Sequence, residues 1–282
     1  TSLPPALTRR PAVPVALLYV ALIVAAALTV LPFFWVVSGS LRGLDDFRSA
    51  PGAWLPSEVT FANYAKLFTD VGFGGFLVNS LIVAALTVVA NVIGGSMAGY
   101  ALAKLEFRGK RIAFGAVMAS LMVPFSATFV PQFVVTVNLG LVNTLVGIAL
   151  PLTVAPLSVF IVRQYAASIP QELIEAARID GASEFRIFGQ VFLPLAGPAL
   201  ATVTIMAFLA SWNNFIWPLL VAQQSATYTL PVGLAATQRA AQNVTDYGLV
   251  LAGAVVVMLP VLALFLFLQR YFVQGIAATG LK

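Results

Sequence analysis

The chain of 282 residues contains no cysteine and no histidine, and only 9% of its residues are charged. Without these two residue types it cannot form a disulfide, a thiolate nucleophile or an ordinary Cys/His zinc site. The lack of histidine also removes the usual general base near neutral pH. We therefore predict no catalytic residue and no metal site. Soluble domains carry roughly 25% charged residues, so the composition also excludes a soluble protein.

Apolar residues dominate instead, at 60% of the chain, with a mean hydropathy of +0.97. Exposing so much apolar surface to water would cost about 25 cal/mol per Å², which predicts an integral membrane protein. A helix needs about 20 apolar residues to cross a bilayer, and six segments are long enough. They are residues 15–37, 77–102, 112–135, 141–162, 195–220 and 249–268. The prediction is an all-α membrane protein with six transmembrane helices.

Lysine and arginine are shared unequally between the two predicted membrane faces. One face would hold eleven, namely Arg9, Arg10, Lys104, Arg108, Lys110, Arg111, Arg163, Arg178, Arg186, Arg270 and Lys282. The other would hold four, namely Arg42, Arg48, Lys66 and Arg239. Because basic residues stay on the cytosolic side, we expect both termini to be cytosolic. This distribution explains the net charge of +5 by topology, so we expect membrane lipid and no nucleic acid as a partner.

The chain shows no internal repeat and no appended soluble domain, so we divide it by its spans. Residues 1–75 would form an N-terminal tail, the first transmembrane helix and an extracytoplasmic loop. Residues 76–270 would form the transmembrane core, and residues 271–282 a cytosolic C-terminal tail. The first span is longer than the apolar core of a signal peptide, so we expect it to be retained.

Polar residues within the predicted spans suggest a path for a solute. No span carries a charge near its middle, where it would cost at least about 2.5 kcal/mol and mark an ion path. Asn79, Trp212, Asn213 and Asn214 could line a path for a hydroxylated solute, with the indole as a stacking surface. The same residues could instead supply helix–helix hydrogen bonds and an interfacial aromatic ring. Both interpretations stay open.

Small residues at helical spacing predict one close helix contact. Gly95 and Gly99 are four residues apart, a spacing that lets two helix backbones approach each other closely. The contact would lie either within the chain or against a second subunit.

Residues 172–194, called the charged segment below, carry charges between two long apolar runs. Glu172 and Glu175 suit the positive N-terminal end of a helix. Gly181 is expected to end that helix, and Ser183 to cap a second one. The pattern predicts two short helices at an angle on the cytosolic face, either as an interfacial loop or as a docking element for another protein.

The spacing within the charged segment resembles the EAA loop of ABC importer permeases. The pattern of that family is Glu-Ala-Ala-x3-Gly-x9-Ile-x-Leu-Pro. The chain has Glu175, Ala176, Ala177, Gly181, Leu193 and Pro194 at these positions, with Val191 for the isoleucine and Asp180 before the glycine. Residues 60–64 with 79–80, residues 212–219 and residues 269–276 are similar to the maltose-type carbohydrate branch of the family.

The resemblance implies a permease subunit of an ATP-driven importer in the bacterial cytoplasmic (inner) membrane. It implies three kinds of protein partner: a homologous second permease, an ABC ATPase dimer and an extracytoplasmic solute-binding protein that delivers a sugar or sugar-like solute. The residues that would couple the chain to the ATPase are Glu172, Glu175, Ala176, Ala177, Asp180, Gly181, Val191, Leu193 and Pro194. The loop 221–248 would reach toward the binding protein, and the tail toward the ATPase.

The chain itself has no Walker A pattern, the loop that cradles phosphates in P-loop ATPases. We therefore expect ATP and Mg²⁺ to be bound by the partner ATPase, with no cofactor and no enzyme activity in this chain.

Two other classes of protein fit less well. An ion-coupled secondary transporter would need acidic residues within the membrane or discontinuous helices in both halves. A membrane-embedded enzyme would need a nucleophile, metal ligands or an acid–base pair at membrane depth. The residues for either chemistry are missing from the predicted spans.

Overall fold

The computed structural model describes the backbone of residues 15–240 and 246–279, and the side chains of residues 15–238 and 246–269. Arg9, Arg10 and Lys282 of the predicted cytosolic face lie outside the described residues. The side chains of Arg239 and Arg270 do so as well.

Helices account for all the regular structure of the described residues, which confirms the all-α prediction. In chain order the α-helices are α1 (Val15–Ser40), α2 (Leu44–Ser49), α3 (Ala62–Thr69), α4 (Phe73–Ala90), α5 (Ser96–Lys104), α6 (Lys110–Met122), α7 (Phe125–Asn138), α8 (Leu145–Ala149), α9 (Pro156–Ser168), α10 (Gln171–Ile179), α11 (Glu184–Ile187), α12 (Leu193–Leu195), α13 (Gly197–Trp212), α14 (Ile216–Val221), α15 (Leu230–Ala240) and α16 (Tyr247–Thr279). Two π-helical turns, Asn91–Gly95 and Phe188–Phe192, continue α4 and α11.

Three helical stretches are each long and apolar enough to cross a membrane. They are Val15–Ser40, Phe73–Lys104 and Tyr247–Gln269. Three further units qualify only when two bent halves are counted together: Lys110–Met122 with Phe125–Asn138 at 104°, Leu145–Leu152 with Pro156–Ser168 at 46°, and Glu184–Leu195 with Gly197–Trp212 at 84°. The described residues thus contain three candidate spans, or up to six if each bent pair is one span.

Two of these breaks have local causes. Pro124 has extended backbone angles (φ −67°, ψ 139°) and immediately precedes α7, and because proline disfavours a helical residue before it, α6 ends at Met122. Val154 has a positive φ of 48°, which few residues with branched side chains adopt, and it precedes Pro156 at the start of α9.

Asn91 holds the second of these breaks in place from a neighbouring span. Its buried amide nitrogen donates to the carbonyl oxygen of Leu152 at 2.7 Å and to the carbonyl oxygen four residues earlier in its own helix at 2.8 Å. Its amide oxygen accepts from the Ala155 nitrogen at 2.7 Å and from Ser158 Oγ at 2.9 Å. Backbone groups freed by the break are therefore satisfied without water, as they must be within a membrane.

The predicted close contact of Gly95 and Gly99 lies within the chain. A Cβ atom built on Gly99 would lie 2.7 Å from the Cβ of Val162, and one on Gly95 would lie 3.0 Å from the Cβ of Ser158. Only glycine therefore fits at Gly99, and the end of the Phe73–Lys104 span packs directly on α9.

The connection between α1 and α3 folds around a buried arginine. Arg42 is only 1% exposed, and its guanidinium donates to the Asp46 carboxylate at 2.8 Å and to three carbonyl oxygens, those of Asp46, Ala50 and Ala53. The guanidinium also lies 4.2 Å from the ring centre of Phe47. Hydrogen bonds from Arg42 and Ser57 hold the pKa of Asp46 at about 2. From the sequence Arg42 was expected to be a topogenic charge, whereas in the structure it organises this connection.

Candidate functional site

The charged segment forms two short helices joined by a tight bend. Helix α10 ends at Ile179, and Gly181 follows with a φ of +80°, a conformation that favours glycine. The Gly181 nitrogen donates to the Arg178 oxygen, and the next nitrogen donates to the Ala177 oxygen, both at 3.0 Å. These bonds close the end of α10 as the sequence predicts. Ser183 precedes α11, but its side chain makes no capping hydrogen bond, so that part of the prediction is wrong.

An ion pair also connects the two helices. Arg178 Nε lies 2.6 Å from Glu184 Oε1 across the bend, and this hydrogen bond raises the pKa of Arg178. Both side chains are partly exposed, so the pair stabilises the segment by only about 0.2–1 kcal/mol. The pair joins the last turn of α10 to the first residue of α11.

The inner face of the charged segment packs on the membrane helices. Ile174, Ile187 and Phe192 are buried in one apolar cluster with Tyr100 of α5 and Val162 of α9. This cluster sets the segment against the ends of α5 and α9 as part of the folded chain. An unanchored interfacial loop would not show such burial.

The outer face carries large apolar side chains that the described residues leave uncovered. Ile179 is 86% exposed and Phe185 is 76% exposed, one on each side of the bend. Uncovered apolar residues rimmed by charges are typical of a protein–protein interface. The segment therefore carries an apolar tip, formed by Ile179 and Phe185, that no described residue covers.

The predicted coupling residues are divided between these two faces. Those exposed are Glu172, Glu175, Ala176, Asp180, Gly181 and Pro194, whereas Ala177, Val191 and Leu193 are half-buried and pack on the chain's own apolar cluster. The first group is available to a partner, and the second group anchors the segment.

Two residues of α5 that the sequence did not single out bind the charged segment and a residue just before α10. The Tyr100 hydroxyl lies 3.3 Å from Glu184 Oε2, and Lys104 Nζ donates to the Ile169 oxygen at 2.6 Å. Both contacts join residues more than 60 positions apart in the chain, so no local signal reveals them.

Two of the four candidate path residues are engaged in hydrogen bonds within the chain. Asn79 donates from its amide nitrogen to the carbonyl oxygens of Ala226 and Tyr228, at 2.8 and 3.0 Å. The Trp212 indole is buried and donates to the Val257 oxygen at 3.0 Å. These bonds match the helix-packing interpretation of both residues.

The neighbouring asparagines differ from one another. Asn213 is exposed, and Asn214 is half-buried, with its side-chain oxygen 3.4 Å from the Trp217 nitrogen. The side chain of Asn213 is therefore accessible from outside this chain. Among residues 15–238 and 246–269, no three carboxylates lie close enough together to hold a metal ion.

Straight and broken membrane helices, together with a two-helix segment packed against α5 and α9, define a multi-pass helical membrane protein. Residues 90–278 match the family model of the binding-protein-dependent transport system inner membrane component. The chain belongs to this family.

Curated relatives agree with this assignment along most of the chain. The arabinooligosaccharides transport system permease protein AraQ of Halalkalibacterium halodurans is 42% identical over 228 residues, which cover 80% of this chain and 81% of the relative. The trehalose transport system permease protein SugB of Mycobacterium tuberculosis is 35% identical over 254 residues, which cover 89% and 92%.

A solved structure shares the fold as well. A chain of a bacterial ABC transporter involved in the import of the acidic polysaccharide alginate superposes with a TM-score of 0.83 at 26% identity, covering 95% of this chain and 100% of the other. The chain is therefore a multi-pass permease subunit of a bacterial inner-membrane ABC importer, and such subunits are neither catalytic nor dependent on a cofactor of their own.

Membership of this family favours an ABC importer permease over the two alternatives, an ion-coupled secondary transporter and a membrane-embedded enzyme. The bent helix pairs do supply the discontinuous helices that an ion-coupled transporter would need. Family membership nevertheless places the chain among permeases driven by ATP, and breaks of this kind are compatible with either energy source.

Proposed function

We propose that this permease and a homologous second permease form the translocation path for a sugar or sugar-like solute, with the charged segment coupling the path to a separate ATPase dimer. An extracytoplasmic solute-binding protein would deliver the solute, in keeping with the binding-protein-dependent family. The proposal includes six spans, one for each long helix or bent pair, and cytosolic termini. The division at residues 75 and 270 follows from these spans.

The sugar class of the solute is supported by the relatives. Two of them transport arabino-oligosaccharides and trehalose by name, and the similar solved transporter imports a polysaccharide. Co-purifying the importer with its binding protein and identifying the bound molecule by mass spectrometry tests this part. A bound sugar is expected, and a bound amino acid or metal ion would contradict it.

The observation that carries the coupling proposal is the uncovered apolar tip formed by Ile179 and Phe185 on a segment whose inner face is buried. A groove of matching shape in the ATPase would cover this tip. Glu175 and Asp180 are exposed beside it and would make polar contacts, while Ala176 would allow close approach.

Apolar surface on the membrane helices supports the second permease as a partner. Helix α1 packs against α16 but leaves most of its length exposed, from Val15 to Phe34. Lipid and a second subunit would share this surface. Within the path, Asn79, Trp212, Asn213 and Asn214 remain the candidates for contact with the solute, and Asn213 is the exposed one of the four.

A bulky substitution on the exposed face tests the coupling role without disturbing the core. In Ala176→Trp the indole would occupy the space in which the ATPase docks, so the ATPase should be lost from the purified complex while the chain still inserts. Ala65→Trp is the matched control, because Ala65 is also an exposed helical alanine but lies on α3, outside the segment. Retention of the ATPase and of transport by Ala176→Trp would refute the coupling role.

The orientation can be tested separately because the natural sequence has no cysteine. A single cysteine at position 179 should react with a membrane-impermeant maleimide in inside-out vesicles and not in right-side-out vesicles. Labelling from the outside would overturn the proposed topology.

A further inference from the structure

The charged segment and a residue just before it are each bonded to the same membrane helix. Glu184, just after the bend, lies 3.3 Å from the Tyr100 hydroxyl, and Ile169, which precedes α10 and lies outside the segment, accepts from Lys104 at 2.6 Å. Tyr100 and Lys104 are four residues apart and therefore lie on one face of α5. Helix α5 is thus bonded to the chain on both sides of α10.

Tyr100 is held firmly at this junction. It is only 3% exposed, and its ring centre lies 5.5 Å from that of Phe188 and 4.9 Å from that of Phe192. On the other side of the contact, Glu184 is bound to Arg178 at 2.6 Å. A continuous polar chain therefore runs from α10 through α11 to α5.

The helices on the two sides of the segment differ in how firmly they are held. Helix α9, which precedes the segment, packs tightly on α5, because a Cβ on Gly99 would meet Val162 at 2.7 Å and the backbone nitrogen of Arg163 at 2.9 Å. Toward α13 the chain bends by 84° between Leu195 and Gly197. A force on the segment would therefore move α5 and α9 with it, while the bend could absorb rotation toward α13.

We propose that Tyr100 is a positioning residue for energy coupling: the chain Arg178–Glu184–Tyr100 passes displacement of the charged segment to the Phe73–Lys104 span. This rests on the proposed function, in which the ATPase docks on the segment. Tyr100 touches neither nucleotide nor solute in this role. It determines how closely the span follows the segment.

The experiment uses the complete importer in proteoliposomes, with a single cysteine at position 78 as a reporter. Val78 is exposed near the opposite end of the same span. The probe is AMP-PNP, and the readout is the rate of maleimide labelling with and without it. We expect nucleotide to change this rate when Tyr100 is present. In Tyr100→Phe, which keeps the ring packing, the change should shrink by about threefold to tenfold, as for a modest interaction between contacting residues.

Two comparisons separate coupling from general packing. Glu184→Gln should give a similar loss, and Tyr100→Phe/Glu184→Gln should be no worse than the stronger single variant, because both residues act in one chain. Tyr165→Phe is the matched control. It removes a tyrosine hydroxyl that donates to the Leu195 oxygen at 3.0 Å, outside this chain, and should keep the full nucleotide response.

Several results would overturn the inference. The first is a labelling rate at position 78 that AMP-PNP does not change in the parent protein. The second is an undiminished change of this rate in Tyr100→Phe. The third is a double variant in which the losses of the two single variants simply add. A lower melting temperature in Tyr100→Phe with an unchanged response would show a structural role only, which also refutes it. If Tyr100→Phe responds fully while Ala176→Trp loses the ATPase, only this inference fails. If Ala176→Trp keeps the ATPase and transport, the proposed function fails as well.

Discussion

Replacing Gly99 by alanine tests the packing of the Phe73–Lys104 span on α9. The new Cβ would lie 2.7 Å from Val162 Cβ, 2.8 Å from its Cγ1 and 2.9 Å from the backbone nitrogen of Arg163. A backbone atom cannot rotate away, so the helices must separate. Such overpacking costs about 1–3 kcal/mol, while alanine recovers about 1 kcal/mol of helix propensity. The difference between the two leaves an expected net loss of up to about 2 kcal/mol.

Thermal unfolding of the purified importer in detergent measures this loss. Gly115→Ala is the matched control, because Gly115 lies within α6 and a Cβ there meets nothing within 4 Å. Only the propensity term applies to it, so it should gain up to about 1 kcal/mol. If Gly99→Ala melts at or above the temperature of Gly115→Ala, the close contact described between α5 and α9 is wrong.

Two further predictions concern buried polar groups. Asn91→Leu would leave the Leu152 oxygen and the Ala155 nitrogen without hydrogen bonds, and each unsatisfied group should destabilise the fold by about 1–3 kcal/mol. The melting temperature should therefore fall clearly. An unchanged melting temperature would contradict the role of Asn91 at the helix break. Asp46→Asn should destabilise the protein at pH 7 by removing the ionic partner of Arg42. The lowered pKa of Asp46 stabilises the fold above its unfolded value of about 3.9, and this contribution is lost as the pH falls through about 2. The difference in melting temperature between Asp46→Asn and the parent should therefore shrink below about pH 4, and a difference independent of pH would refute the reasoning.

The positions of the membrane helices could be predicted because apolar length is a local property of the sequence. The predicted span 77–102 corresponds to the helical stretch Phe73–Lys104 in the structure, and the predicted span 249–268 corresponds to Tyr247–Gln269. The breaks were harder to predict, since proline alone does not determine them. Pro131 and Pro260 lie inside continuous helices, whereas Pro124 begins a new one.

The break before α9 shows what local reasoning lacks. Val154 adopts its positive φ beside a distant span, and the freed backbone groups bind Asn91, more than 60 residues earlier. Only the tertiary structure brings these groups together, so the sequence around Val154 carries no sign of the stabilising partner.

In the charged segment, too, some features are local and predictable and others depend on tertiary packing. Its two helices and the bend at Gly181 follow from local preferences and were predicted correctly. Which side chains face the core and which face outward was not predicted: Ala177 packs on the chain's own core, whereas Ala176 faces outward. The contact between Tyr100 and Glu184 depends on how two remote elements pack, which periodicity alone cannot indicate.

The enclosed guanidinium of Arg42 limits where this chain can be engineered. Its acceptors lie between residues 46 and 53, and the Asn63 amide in turn binds the carbonyl oxygens of Ser40 and Arg42 at 2.8 Å. An epitope tag or protease site inserted within residues 43–53 would separate these acceptors from Arg42 and leave a buried positive charge without partners. Affinity handles and fusion partners for this subunit therefore belong outside that stretch.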